Sequence, residues 1–352
     1  MSLLKNSSTY DFDFQLDEFD FHNGKELQVP AFSPALSTNS IINSSSSVSV
    51  PSPTRSASTI APYLSSDTFL SGHFTKTKAQ SSDRQIFLTM IIDMVHAYPR
   101  MMMRRETFPP FIHAFSPAGE SPDERSKLPE NLTNCMGIAQ LFAVCNDDTR
   151  LFVWGTIWAE LRRLRSRASM FNKFEAISAL QASLLFLIMR AVDEPPKEAN
   201  HDYEMLEIYQ VVLKSRFIEL TNHCPKVEDR SKDPQWVDWI FMESGRRIGW
   251  VWFILSLVFH LRTGVPCFIS DHFREMPLPC KKTEWEAKTK AQWRIEHENA
   301  SARSRSTALR TFGDLIDAHQ STPRGRKSEG LDAWNAGIDH LGVLLNLAVH
   351  LV

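Results

Sequence analysis

Apolar residues recur at three- and four-residue spacing through most of the chain beyond residue 82. In SSDRQIFLTMIIDMVHAYPR, the positions Ile86, Phe87, Met90, Ile91, Met94 and Val95 share one helical face. Ser82 or Asp83 supplies an N-cap, and Pro99 stops the helix. The same period predicts helices over about 131–146, 149–167, 170–192, 201–222, 234–262, 284–318 and 329–351. Pro195-Pro196, Pro225 and Pro234 fall between or at the ends of these runs, where proline belongs. No segment after the N-terminal tail alternates with period two, and no Asn-Gly or Asp-Gly turn joins two β-type runs. The pattern predicts an all-α body over 82–352, with short loops between antiparallel neighbours.

One helix stands apart. WVDWIFMESGRRIGWVWFILSLVFHL is apolar on nearly every side beyond Arg247, which predicts a central, buried rod. Glu243 precedes Arg246 and Arg247 by three and four residues, the spacing of an intrahelical ion pair. If that pair is buried, removing one partner strands the other in a medium of low dielectric. An irregular stretch with Pro266, Pro277 and Pro279 follows. Trp285 and Trp293 then stand eight residues apart, near one face of the predicted 284–318 helix, where they would pack the preceding loop down.

Residues 1–80 read differently. They are rich in Ser, Pro and Thr, as in Ser44-Ser45-Ser46-Ser47 and PSPTRSAS, and offer too little apolar surface to offset the entropy of ordering. A disordered segment is expected. Within it, YDFDFQLDEFDF alternates Tyr10, Phe12, Phe14, Leu16, Phe19 and Phe21 with five carboxylates. The carboxylates repel one another and hold the aromatics in water, ready to dock weakly into a partner's groove. That is the composition of an activation segment.

Composition and motifs narrow the chemistry. Lys plus Arg number 39 and Asp plus Glu 41, so the net charge of −2 exerts no global pull toward nucleic acid or anionic membranes. The five cysteines are widely spaced and form no C-x-x-C pair, so neither a zinc site nor a dithiol motif can be written. Free thiols in a reducing compartment are expected. The histidines form no H-x-x-x-H or H-E-x-x-H. No G-x-S-x-G, G-x-G-x-x-G or P-loop is present.

Asn146-Asp147-Asp148 lacks a third carboxylate at helical spacing and reads as the N-cap of the next helix. A magnesium-dependent helical cyclase would need a paired carboxylate face, and none is found. The expectation is therefore no enzyme, no catalytic residue, no metal and no cofactor. ELRRLRSR, RSRSTALR and PRGRK are basic clusters that suit solvated helix ends, nuclear import or glancing phosphate contact. The longest apolar run, Ile248 to Leu261, is shorter than the roughly 20 residues that span a bilayer. A soluble intracellular protein without a membrane segment is expected.

Taken together, WIFMESGRRIG, then EMPLPC, then TEWEA and Trp293 resemble the middle homology region of fungal-specific transcription factors, the regulatory domain of the zinc-cluster regulators. The matching residues are Trp236, Trp239, Ile240, Glu243, Ser244, Arg246, Arg247, Glu275, Pro277, Leu278, Pro279, Cys280, Trp285, Glu286 and Trp293. AYPRMMMRRETFPPFIH resembles the segment that leads into that domain. The resemblance covers about residues 85 to 352 and implies an all-α, non-catalytic regulatory domain of a nuclear protein.

The implied partners are other transcription factors or co-regulators, in a homo- or heterodimer. No cysteine precedes Cys135, so the zinc cluster usual in the family is not written in this sequence. DNA contact is therefore expected to be indirect or weak. The final LGVLLNLAVHLV is apolar to its last residue, and the chain is expected to be short relative to full-length relatives.

Overall fold

The computed structural model describes residues 82–115, 127–193, 204–222, 235–263, 271–303, 309–321 and 329–352. All lie within the larger of two units, Ser58–Val352. The serine- and proline-rich segment and its acidic-aromatic stretch lie outside the described residues.

Helices account for the architecture. In chain order they are α1 (Ser82–His96), α2 (Tyr98–Met101), α3 (Glu130–Ala143), α4 (Arg150–Arg167) and α5 (Lys173–Val192). A π-helical stretch (Ile208–Leu213) then runs into α6 (Lys214–Asn222). There follow α7 (Trp236–Thr263), α8 (Lys282–Trp285), α9 (Lys290–Arg303), α10 (Phe312–Gln320), α11 (Glu329–Asn335) and α12 (His340–Ala348). Among the described residues no strand forms. The nearest approach to one is a single antiparallel bridge between Pro277 and Thr311.

The most enclosed element is α5. Asn172 caps it reciprocally: its Oδ1 accepts from the N–H groups of Phe174 and Glu175, and Glu175 accepts from the Asn172 N–H. Every residue from Ala176 to Arg190 is buried. Around it pack α1, α2, α3, α4, α6, α7 and the π stretch. By length and apolarity α5 could cross a membrane, yet 83% of that apolar window is buried within the protein. A helix sheathed by other helices is hydrophobic all round for the same reason a membrane span is.

α7 lies against α5 and carries Ile248, Trp250, Val251, Ile254, Leu257 and Val258 into the same core. Gly245 lets Phe217 of α6 press on it, since a Cβ at 245 would stand 2.7 Å from the Phe217 ring. α12 closes the body against α1 and α7.

Three sequence expectations need correction. The centre is shared, with α5 more completely enclosed than α7. The predicted 284–318 helix is three: α8, α9 and α10. Thr289 ends the first break, its Oγ1 accepting from Gln292 N–H while Gln292 Oε1 accepts from Lys288 N–H. Thr311 and Asp314 form a capping box that starts α10. The predicted 329–351 helix is likewise two, because Gly337 turns the chain and Asp339 caps α12.

The Phe186 side chain is fully enclosed in α5. Phe186→Ala is expected to lower the unfolding free energy by about 3–5 kcal/mol, read from urea denaturation. Ile295→Ala, at an exposed position, should change it by less than about 0.5 kcal/mol.

Candidate functional site

A buried arginine organises the middle of the molecule. Arg247 sits on α7 with 0% of its surface exposed, and Glu243, one turn earlier, has 1%. Each of the five guanidinium donors has an acceptor. Nε donates to Glu243 Oε1 at 2.9 Å. Nη1 donates to the Pro110 carbonyl at 3.0 Å and to Asp339 Oδ2. Nη2 donates to the Cys280 carbonyl at 3.2 Å and lies 3.6 Å from its Sγ. The Trp285 ring covers the cation's face, 4.2 Å from Cζ.

Glu243 is as fully engaged. It also accepts from the Cys280 N–H at 2.9 Å and from Arg246 Nη1. Asp339 divides its oxygens, Oδ2 to Arg247 and Oδ1 to the first amides of α12. Burial works against the Arg247 charge, but the carboxylates of Asp339 and Glu243 outweigh it and hold the pKa above the ordinary guanidinium range. One side chain thus ties α7, the loop after the Arg105–Thr107 turn, the Pro277–Cys280 loop and the start of α12.

Beside it stands a second apolar cluster of Trp236, Trp239, Ile240, Trp285, Ala287 and Trp293. Trp239 meets Trp293 at 5.5 Å and Trp285 at 6.3 Å between ring centroids. His297 stacks on Trp293 and hydrogen-bonds the buried Glu284 at 2.6 Å. His113 accepts from the Phe115 N–H at 3.0 Å and meets Trp285 edge-on at 4.8 Å. Burial pushes its pKa down to about 4, against backbone contacts to Phe115 and Trp285 that favour the charged form.

Residues 157–316 match the family model of the fungal specific transcription factor domain. Over that stretch the chain is similar to the fungal specific transcription factor domain. No curated protein and no solved structure matches the chain. The match spans α7, the Pro277–Cys280 loop, α8 and α9, and so contains the arginine junction apart from Pro110 and Asp339.

Within the domain, the residues singled out by resemblance converge. Trp239, Glu243, Ser244 and Arg247 are buried on α7, while Arg246 sits at its rim with its side chain 30% exposed. Pro279 is buried. The Pro277 carbonyl accepts from Trp250 Nε1 at 3.0 Å, pinning the loop to α7. Trp285 and Trp293 share one cluster as expected, though from two helices.

Sequence reasoning missed Pro110, Asp339, His113 and the Glu284–His297 pair. Asp339 had a detectable trace, as a capping residue ahead of HLGVLLNLA. Tyr10, Phe12, Phe14, Phe19 and Phe21 lie outside the described residues.

The basic cluster on α4 is neutralised locally. Arg163 is bidentate to the buried Glu160 at 2.7 and 2.8 Å and also reaches Glu130. Arg165 pairs with Glu204 and Glu207, Arg167 with Glu130, and Arg162 comes within 4.0 Å of Glu204. A cluster so paired offers little to phosphates. PRGRK and most of RSRSTALR lie outside the described residues.

The Asn146 turn differs from expectation. Asn146 Oδ1, rather than either aspartate, accepts from the Thr149 N–H, and Asp147 instead pairs with Arg150. Among the described residues, no group of three or more His, Cys, Asp or Glu side chains converges to hold a metal.

With every donor engaged, Arg247 has nothing to offer a ligand without releasing a partner, and its role is to position segments. Arg247→Met removes the cation that Glu243 and Asp339 share, leaving Glu243 only Arg246 and the Cys280 N–H and leaving Asp339 only two amides. It is expected to lower the unfolding free energy by about 3–5 kcal/mol, read by chemical denaturation.

His113 gives a pH dependence of definite sign. Its folded pKa is about 4 and its unfolded reference 6.5. Between these values the unfolded chain binds the proton and the folded chain does not, so stability falls as pH drops from 6.5 to 4. The contribution is at most roughly 3–4 kcal/mol. His113→Gln should flatten the decline of the urea midpoint over that range, leaving a residual slope from His96, His340 and His350. Burial lowers the pKa of each of those.

Proposed function

We propose that the chain is a nuclear transcriptional regulator whose helical domain controls activity. DNA targeting would come through a partner transcription factor or co-regulator. What supports the reading is the family match over 157–316 falling on a region where Glu243 and Arg247 are buried and ion-paired and Arg246 reaches Glu243 from the rim. Output would come from the acidic-aromatic stretch, with Tyr10, Phe12, Phe14, Phe19 and Phe21 as the docking side chains.

The test is a reporter assay with residues 1–80 tethered to a foreign DNA-binding domain. Transcription should rise severalfold and fall to background when Phe12, Phe14, Phe19 and Phe21 become Ala. No rise, or a rise indifferent to the substitutions, removes the assignment.

A second reading is a helical ligand- or protein-binding partner of a zinc-cluster transcription factor, without transcriptional output of its own. The observation in its favour is that no cysteine stands among residues 1–134. Co-purification with such a factor, and loss of nuclear residence in cells that lack it, would support this version.

A further inference from the structure

Two histidines meet where α10 lies beside the end of α12. His319 stands in the last turn of α10, and His350 just beyond α12. Their ring centroids are 5.4 Å apart and their planes nearly perpendicular, at 80°. Phe87 of α1 stacks on His350, 4.4 Å between centroids and 14° from parallel, and so sets the plane of that ring. His319 is half-buried and His350 exposed, so water and ions reach the pair.

A third group faces them. Asn346 Oδ1 lies 3.4 Å from His319 Nε2. That the atom is the amide oxygen is fixed from the other side. Trp334 Nε1, which can only donate, lies 3.0 Å from it. Asn346 Nδ2 in turn donates to Asn335 Oδ1 at 2.8 Å. The amide is thus held with its oxygen toward His319, and one lone pair of that oxygen is left over.

As a hydrogen bond, the contact between His319 and Asn346 is long, since N–H···O bonds cluster at about 2.7–3.2 Å. As one edge of a coordination tetrahedron its length is the expected one. Ligand atoms about 2.0–2.2 Å from zinc, at tetrahedral angles, stand about 3.4 Å from each other. Two imidazoles on one such ion set their ring centres about 5–5.5 Å apart. We propose that His319 Nε2, a ring nitrogen of His350 and Asn346 Oδ1 form a binding site for a divalent transition-metal ion of the zinc class, with water completing the shell.

Imidazole ligands select zinc, copper or nickel over magnesium or calcium. Trp334 and Asn335 hold the amide in place from outside, as the partners of metal ligands commonly do. Burial, and then the charge of His319, lower the His350 pKa, which favours the neutral ring that ligation needs. Among the described residues no third His, Cys, Asp or Glu completes a group with the pair. No carboxylate or thiolate therefore offsets the charge of the ion, and binding in the micromolar range is expected. A bound ion would tie α10 to the end of α12. The site does not depend on transcriptional output.

Calorimetric titration of the full chain with zinc at neutral pH tests it. The parent chain should bind zinc with micromolar affinity, and magnesium should not compete. Trp334→Phe should weaken this binding about tenfold, and His319→Gln or His350→Gln by at least as much. Asn346→Asp should tighten it, because a carboxylate brings the missing charge. His350 is exposed, so His350→Gln should leave the far-ultraviolet helical signal unchanged.

A parent chain that binds no zinc below millimolar concentration overturns the proposal. So does zinc binding that is unchanged in both histidine variants, or that magnesium displaces equally well. The reporter assay uses residues 1–80 alone, so the two readings fail separately.

Discussion

A guanidinium with no exposed surface, holding five acceptors from four segments, is the constraint around which this protein is arranged. Moving a cation out of water costs several kcal/mol, and only complete satisfaction of its donors makes the interior tolerable. Glu243 comes from the same helix and is there as soon as α7 forms. Pro110, Cys280 and Asp339 arrive only when distant segments dock. Partial docking leaves a buried charge poorly paired, so the junction favours one arrangement of α7, the Pro277–Cys280 loop and α12 over looser ones. Trp285 adds a ring over the cation, and through it the tryptophan cluster with Trp239 and Trp293 is fixed beside the junction.

Much of this was legible in the sequence, and the part that was not has a physical reason. Helical period located nearly every element, because burial on one face writes a repeat of three and four into the chain. The Glu243–Arg247 pair was legible because intrahelical partners have fixed spacing. Its other partners were not. The Pro110 and Cys280 carbonyls leave no side-chain trace, and Asp339 lies 92 positions away.

The division of 284–318 was missed for a different reason. The stretch contains good helix formers and neither Pro nor Gly until Gly313. The break is imposed by packing: Ala287 is buried in the tryptophan cluster, and the Lys282 N–H donates to the Gly337 carbonyl. The capping residues Thr289–Gln292 and Thr311–Asp314 carried the signal, but propensity outweighed it. Enclosure of α5 on every side, rather than α7 alone, depends on how many helices surround it, which one-dimensional periodicity does not record.

The same distinction separates scaffold from surface. Glu243 and Arg247 are consumed by internal contacts, and the arginines of α4 are largely occupied by Glu130, Glu160, Glu204 and Glu207. Among the described residues, Leu151, Phe152, Gly155, Thr156 and Ala159 form an uncharged outward strip along α4. The interior determines the geometry of such surfaces, and here one buried ionic junction sits within a large apolar core. Because α12 is capped by the carboxylate that binds Arg247, the last helix and the centre of α7 cannot reorganise independently.

Hydrogen exchange followed residue by residue in Arg247→Lys tests this coupling most directly. Lysine keeps the charge but offers three donors on one nitrogen, too few and too concentrated to reach all four segments. Amides at Cys280, Leu341 and Gly342 are expected to lose protection together, while the amides in the middle of α5 keep theirs. If α12 and the Cys280 amide exchange as slowly as in the parent chain, the arginine is a passenger in the core and the account fails.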